Sequence, residues 1–404
     1  MQRPQSPRRL FLVFLTLALV FSFFSVPALA DSKKTAQDVA GKCVFSASVN
    51  QKAVSKLKNA FLYNVWSGGK NGALTVTLPK GQLCQGVMLA FHTQVPRLIV
   101  ESLDDGAPQP IAEYALPYQN DYIPFSKSVH SFRIRGAEGN TADIRISRIN
   151  VLTEGALPAW VQRWQTLADG AADLLLIVTH PDDDILWFGG LLPTYAGEKH
   201  KKVMVAYAVP GKRQDRRNEL LDALWHCGVK YYPFVSPANA DPDFVDFAVT
   251  CIRKYRPPVV VTQDQNGEYG HASHKKLVAA VIKAVKTACG DPASYAASAA
   301  QYGAYQPQKL YLHLCKKNMS IFDWRVPLKA FDGKTGMALA HRAFKMHESQ
   351  QNGRHKVADY GLYDCRKFGL YFTAVGADDT RQPDFLQHVI DDKTAALPEA
   401  EARP

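Results

Sequence analysis

LLLIVTHPDDDILWFGG, residues 174–190, runs from an apolar segment straight into a histidine, a proline and three consecutive aspartates. Leu174–Thr179 has the unbroken apolar character of a strand buried on both faces. His180, Asp182, Asp183 and Asp184 then crowd charge against the apolar Ile185–Phe188. Adjacent carboxylates repel, and burying them costs free energy unless something positive compensates. Two readings answer this. The aspartates cap the helix predicted over ILWFGGLL, or a cation sits over them.

Further along, the same grammar recurs. KVMVAYAV (202–209), PPVVV (257–261) and KLYLHLC (309–315) read as apolar strands. RNELLDALWHCG (217–228), VDFAVTCIRKY (245–255) and HKKLVAAVIKAVKTAC (274–289) read as helices between them. This alternation predicts an α/β domain with a Rossmann-like, mainly parallel sheet and helices on both faces. Sites in such folds lie at the carboxyl ends of strands, where His180 and its aspartates fall. A second polar cluster, TQDQNGEYGHASH (262–274), follows PPVVV. Two strands thus deliver imidazoles and carboxylates to one sheet edge. His180, one aspartate and His274 make a two-His, one-carboxylate set with an open position, as catalytic zinc is commonly held. A neighbouring carboxylate is then placed as general base. The residues alone leave open which aspartate binds and which takes the proton.

Before residue 153 the pattern is different. GALTVTL (72–78), QGVMLAF (85–91), RLIVESL (97–103), HSFRIRG (130–136) and ADIRISRINVL (142–152) mostly alternate apolar with polar, with turn residues between. Short strands at this spacing predict an all-β sandwich ahead of the α/β domain. Trp66, Tyr118 and Tyr122 are either sugar-stacking platforms or core.

The 404 residues, 47% hydrophobic and 21% charged, leave room for two ordinary domains. Arg3, Arg8 and Arg9, the apolar run from Leu10, and VPALA ending at Ala30 have the order of a signal peptide. Its removal takes away three arginines and no acid, lowering the net charge from +11 to +8. The chain is therefore expected to be exported, to the periplasm or the extracellular space. That charge suits contact with an anionic envelope or cell-surface polymer. Scattered Lys and Arg with no reader motif argue against nucleic acid. The seven cysteines form no CxxC pair, which excludes a zinc knuckle or thioredoxin-type site. Cys43 and Cys84 are the nearest candidates for a disulfide, with buried thiols the alternative.

THPDDD (179–184), the spacing Arg216-x-x-Glu219-Leu220-x-x-Ala223-x-x-x-Cys227-Gly228, GEYGHASH (267–274) and HESQ (347–350) together resemble the PIG-L/LmbE-like de-N-acetylases. The resemblance covers roughly Asp173–Val389, and GLYFTAVGADD with DFLQHV is similar to the end of the extracytoplasmic branch. AFLYNVWSGG and ADIRISRINVLTEG give the sandwich the look of a galactose-binding-like domain. These likenesses imply a signal peptide (1–30), a galactose-binding-like sandwich (31–155), a deacetylase domain (156–392) and a polar tail (393–404). They imply removal of the N-acetyl group from an N-acetylglucosamine-type sugar or glycoconjugate, with bound Zn2+ or another divalent metal. Carried over by position, His180, Asp183 and His274 would be metal ligands and Asp182 the general base. His271 would serve the oxyanion or the leaving amine, and Tyr269 would donate to the substrate carbonyl. Arg213, Arg216, Glu268 and His347 are further candidates on the substrate side. Two departures stand out. The family's GHPDH is GHASH here, placing Ser273 where an aspartate often partners the catalytic histidine and leaving Glu268 as a substitute orienter. Asp184 stands where glutamate is frequent. The alternative is a carbohydrate-binding protein with an inactive deacetylase domain.

Overall fold

The computed structural model describes residues 34–58, 64–92, 95–211, 213–236 and 243–391. The expected signal peptide (1–30) and the expected tail (393–404) lie outside the described residues.

Nine strands build the first half: β1 (Val44–Ala47), β2 (Trp66–Gly69), β3 (Ala73–Thr77), β4 (Cys84–Phe91), β5 (Leu98–Ser102), β6 (Gln109–Tyr114), β7 (Asn120–Val129), β8 (Ser131–Gly136) and β9 (Ile144–Thr153), with one helical turn, α1 (Gln51–Val54), after β1. They form two antiparallel sheets, ordered β1-β3-β8-β5-β6 and β2-β9-β4-β7. Val76, Val100 and Phe132 from one sheet meet Val87, Leu89 and Ile146 from the other in a shared core. The alternation seen in the sequence is the inward face of this sandwich. Trp66, Tyr118 and Tyr122 are all buried, so they pack rather than present a sugar platform. No disulfide joins the described cysteines. Cys43 donates to the Val39 carbonyl and Cys84 to that of Gly86.

The second half runs β10 (Leu174–Val178), α2 (Asp183–Leu186), β11 (Val203–Tyr207), α3 (Gln214–His226), β12 (Phe234–Val235), α4 (Phe244–Tyr255), β13 (Val259–Thr262), α5 (Ala272–Lys283), α6 (Ala296–Tyr302), β14 (Lys309–His313), β15 (Met319–Ile321), α7 (Gly336–Met346) and β16 (Lys367–Thr373). The sheet order is β12-β11-β10-β13-β14-β16-β15, parallel from β12 to β14 and antiparallel at β16. Leu174, Leu176 and Val178 pack on one face with α3 and α7. Leu175 and Ile177 pack on the other with α4 and α5. This two-sided burial is why the strands read as unbroken apolar runs. The chain winds outward from β10 through β11 to β12, then restarts at β13 on the other side. The strand order therefore reverses between β10 and β13, whose carboxyl ends flank a natural crevice.

The helix predicted over ILWFGGLL is cut to the four residues of α2. Two glycines explain the stop. Gly189 has φ +51°, and a Cβ there would come within 2.5 Å of the Cys365 sulfur. One at Gly190 would meet Trp324 Cβ at 2.7 Å. Close packing against Trp324 and Cys365 outweighs helix propensity. No helix among the described residues is long and apolar enough to cross a membrane.

Candidate active site

Thr179 ties the two strand ends together, giving its amide and hydroxyl to Gln263 Oε1 at 2.9 and 2.6 Å. His180 follows at the crevice. Asp182 then takes φ +125°, a backbone region that costs an L-residue about 1–3 kcal/mol. Its surroundings hold it there. The amides of Ile185 and Leu186 donate to its carbonyl, and Arg216 reaches the Pro181 carbonyl at 2.5 Å and Asp182 Oδ1 at 3.1 Å. The strained turn sends successive carboxylates in different directions.

Asp183 turns inward. Its Oδ1 accepts the Trp187 indole N–H at 2.8 Å, and Oδ2 accepts the His180 amide at 2.7 Å. Oδ2 also stands 3.3 Å from His180 Nδ1 and 3.3 Å from His274 Nε2, while those nitrogens are 3.1 Å apart. Three lone-pair atoms that close coexist only with a proton or a cation among them. Donors about 2.0–2.1 Å from a tetrahedral centre lie roughly 3.3–3.4 Å apart, so the triangle fits an ion of zinc's size. His271 adds a third imidazole: the ligand nitrogens of His180, His271 and His274 all lie within 4.8 Å of one another.

Burial acts against Asp183's charge, but hydrogen bonds from His180 and His274 outweigh it and hold its carboxyl far below the ordinary range. Asp182 moves the other way, well up, through burial and then the neighbouring Asp183 charge. Asp184 does not cap α2. It is fully buried beside Tyr207, accepts the Asp182 amide at 3.3 Å, and burial pushes it up to about 7. His274 is raised to about 9 despite burial, through its bonds to Asp183 and Glu268. His271 is lowered, by burial first and then by His274 and His180.

Glu268 corrects an expectation. It was the substitute orienter for His271, yet its side chain is fully buried beneath His274, with Oε2 2.8 Å from His274 Nδ1. Its Oε1 accepts the Asp264 amide at 2.9 Å and lies 3.3 Å from His313 Nδ1. A buried carboxylate here cannot touch substrate. It fixes the His274 tautomer so that Nε2 faces the triangle. His271 Nδ1 has no hydrogen-bond partner among the described residues. Tyr269 is half-exposed, with its ring stacked on His355 at a centroid distance of 4.4 Å. Burial raises its hydroxyl to about 12, so it stays a donor. Arg213 turns to Asp215 at 2.5 Å. His347, a substrate-side candidate, is fully buried at the end of α7 and meets no substrate where it stands. Two further imidazoles stand close by, His313 against Glu268 and His355 against Tyr269. His313 ends β14, so the strand-end rule could have flagged it. His355 lies on an irregular loop with no such signal.

A sequence profile described as PIG-L, GlcNAc-PI de-N-acetylase, matches residues 175–285, which hold the whole triangle. That stretch of the chain is similar to the PIG-L family. A 1D-myo-inositol 2-acetamido-2-deoxy-alpha-D-glucopyranoside deacetylase of Rhodococcus opacus is 32% identical to it, over 28% of this chain and 54% of that protein. A namesake from Catenulispora acidiphila is 30% identical over 30% and 50%. The chain thus spans about half the length of the curated relatives it matches. Among solved structures, the N,N'-diacetylchitobiose deacetylase of Pyrococcus horikoshii aligns with 45% of this chain and 72% of its own, at 18% identity and a TM-score of 0.36. Within the matched stretch, His180 follows β10, Asp183 opens α2, His274 sits in the first turn of α5, and α3 supplies Arg216.

Proposed function

We propose that this chain is a metal-dependent hydrolase that removes the N-acetyl group from an N-acetylglucosamine-type sugar or glycoconjugate outside the cytoplasm. The observation that carries the reading is the triangle of His180, His274 and Asp183, with edges of 3.1, 3.3 and 3.3 Å, beside a second carboxylate held by Arg216. The named activities of the 2-acetamido sugar deacetylases it resembles support the substrate class. The basic, apolar and small-residue order of residues 1–30 supports export.

His180, Asp183 and His274 would hold the ion, zinc or another divalent metal. When bound, it supplies Lewis-acid polarisation of the acetamide carbonyl and acidifies water toward neutral pH. The chain's own groups do the rest. Asp182 accepts the proton of the attacking water, its carboxylate aimed by Arg216. Tyr269 donates its hydroxyl to the carbonyl oxygen as charge develops there. His271 delivers a proton to the departing sugar amine, and the proton that Asp182 took from the water makes good that loss. The C–N bond breaks, and acetate and the free amine leave.

The pseudo-enzyme reading has one observation in its favour: Ser273 offers no carboxylate, and His271 Nδ1 is unpartnered among the described residues. A mass-spectrometric screen of N-acetylated sugars and envelope glycans separates the two. Loss of 42 mass units per acetyl removed (~42 Da, the mass of C2H2O), abolished by chelator, supports the hydrolase. Binding of those glycans with no acetyl loss supports the inactive form.

A further inference from the structure

A cavity of about 880 Å3 opens at the seam between the sandwich and the α/β half, and no residue of the histidine cluster lines it. Sites for small ligands run roughly 300–1,000 Å3, so its size is that of a built pocket. Its polar floor is already hydrogen-bonded. Arg148 grips Asp222 with two bonds at 2.7 and 2.8 Å, and Asp222 also receives Gln162. Asp38, at the edge, is occupied by Asn150 and the Val151 amide.

The walls are flat and apolar. Trp225 is buried, its indole N–H given to the Ala159 carbonyl at 2.8 Å and its ring faced by Lys230 Nζ at 3.5 Å. Trp160 is left 44% exposed at the same cavity, a large apolar ring that the fold itself does not cover. Trp160 thus offers an open aromatic face with an adjoining cavity rather than a lone ring on a flat surface. The charge left over is positive. Lys230 and Arg342 have no carboxylate within ion-pair distance among the described residues, and Lys334 has only the solvent-exposed Asp332 at 3.9 Å. Burial pulls Lys230 down to about 8, a cost that an anion beside it would remove.

We propose that this cavity is a second saccharide site, distinct from the deacetylase centre, for a sugar unit bearing an acidic group. The open Trp160 ring stacks on the C–H face of a pyranose, and Lys230 with Arg342 takes the acid. The site holds a segment of an acidic glycan independently of whether hydrolysis occurs at the histidine cluster.

Titrating the full chain with tetragalacturonate and, separately, with glucose 6-phosphate, read by calorimetry and tryptophan fluorescence, tests this and distinguishes carboxylate from phosphate. Saturable binding of either probe is expected. It should weaken at least about tenfold in Trp160→Ala, recover in Trp160→Phe, and weaken in the Lys230→Ala/Arg342→Ala double variant. Added salt should weaken it further, and His274→Ala should leave it unchanged. The proposal is overturned if neither acidic probe saturates, if neutral maltotetraose binds as tightly, if Trp160→Ala binds normally, or if His274→Ala abolishes binding. That last result would assign the probe to the deacetylase centre instead.

Discussion

Asp182 and Asp183 are neighbours whose carboxyls meet opposite conditions, and the proposed chemistry divides along that line. Asp183 lies between two imidazoles and stays ionised, while Asp182 is buried beside that charge and gains proton affinity. Asp182→Ala should keep its metal and lose acetate release by roughly 10²–10⁴-fold, the usual weight of a general base. Elemental analysis alongside an acetate assay reads both, and near-full turnover with metal retained would sink the role. Glu268 acts one step back, through His274 Nδ1. Glu268→Gln should weaken metal binding about 10–100-fold in chelator competition, while Glu268→Asp recovers part of the loss. An unchanged metal affinity would show the carboxylate to be a bystander. The residue types of the site were legible because HPDDD and GHASH each follow an apolar strand. The division of labour between Asp182 and Asp183 was not, since it depends on the φ of +125° at Asp182.

Elements place these residues by stopping where they do. α3 is stopped just before Gly228, whose φ of +85° suits glycine, and whose missing Cβ lets Gly197 approach. A Cβ there would stand 2.7 Å from the Gly197 Cα. Gly228→Ala should therefore destabilise the protein by about 1–3 kcal/mol, seen as a lower midpoint in denaturant unfolding. An unchanged midpoint would mean the two backbones separate freely. β10, β11, β13, β14 and the long helices were readable because burial on both faces leaves the strands mostly apolar, with Lys309 and His313 of β14 among the buried exceptions. The short strands β12 and β15 escaped notice, having two or three residues and little burial. α2 was overread, because its periodicity says nothing of Trp324 pressing on Gly190.

At the scale of the whole molecule, the two halves are joined by polar contacts as well as by packing. Arg148 on β9 grips Asp222 on α3, and Asn218 donates to the Phe91 carbonyl at 3.3 Å. Asp222→Ala strands a buried guanidinium and should cost about 3–5 kcal/mol, measured by urea unfolding. A loss below the error of the fit would show that the seam contributes little. Asp121, which accepts the Trp164 amide at 3.2 Å, is pushed by burial up to about 6. A carboxyl raised on folding adds stability that is complete below its unfolded pKa near 4 and lost as pH rises through 6. Asp121→Asn should flatten the fall in stability between those values, and an identical pH profile would refute this. The seam was invisible in the sequence, since nothing in Arg148 or Asp222 names a partner 74 residues away. The proposed hydrolysis is tested most directly by acetate release by the full chain from an N-acetylglucosamine oligosaccharide, followed before chelation, after it, and after zinc is restored. Release that stops with chelator and returns with zinc is the predicted result; release untouched by chelator would contradict it.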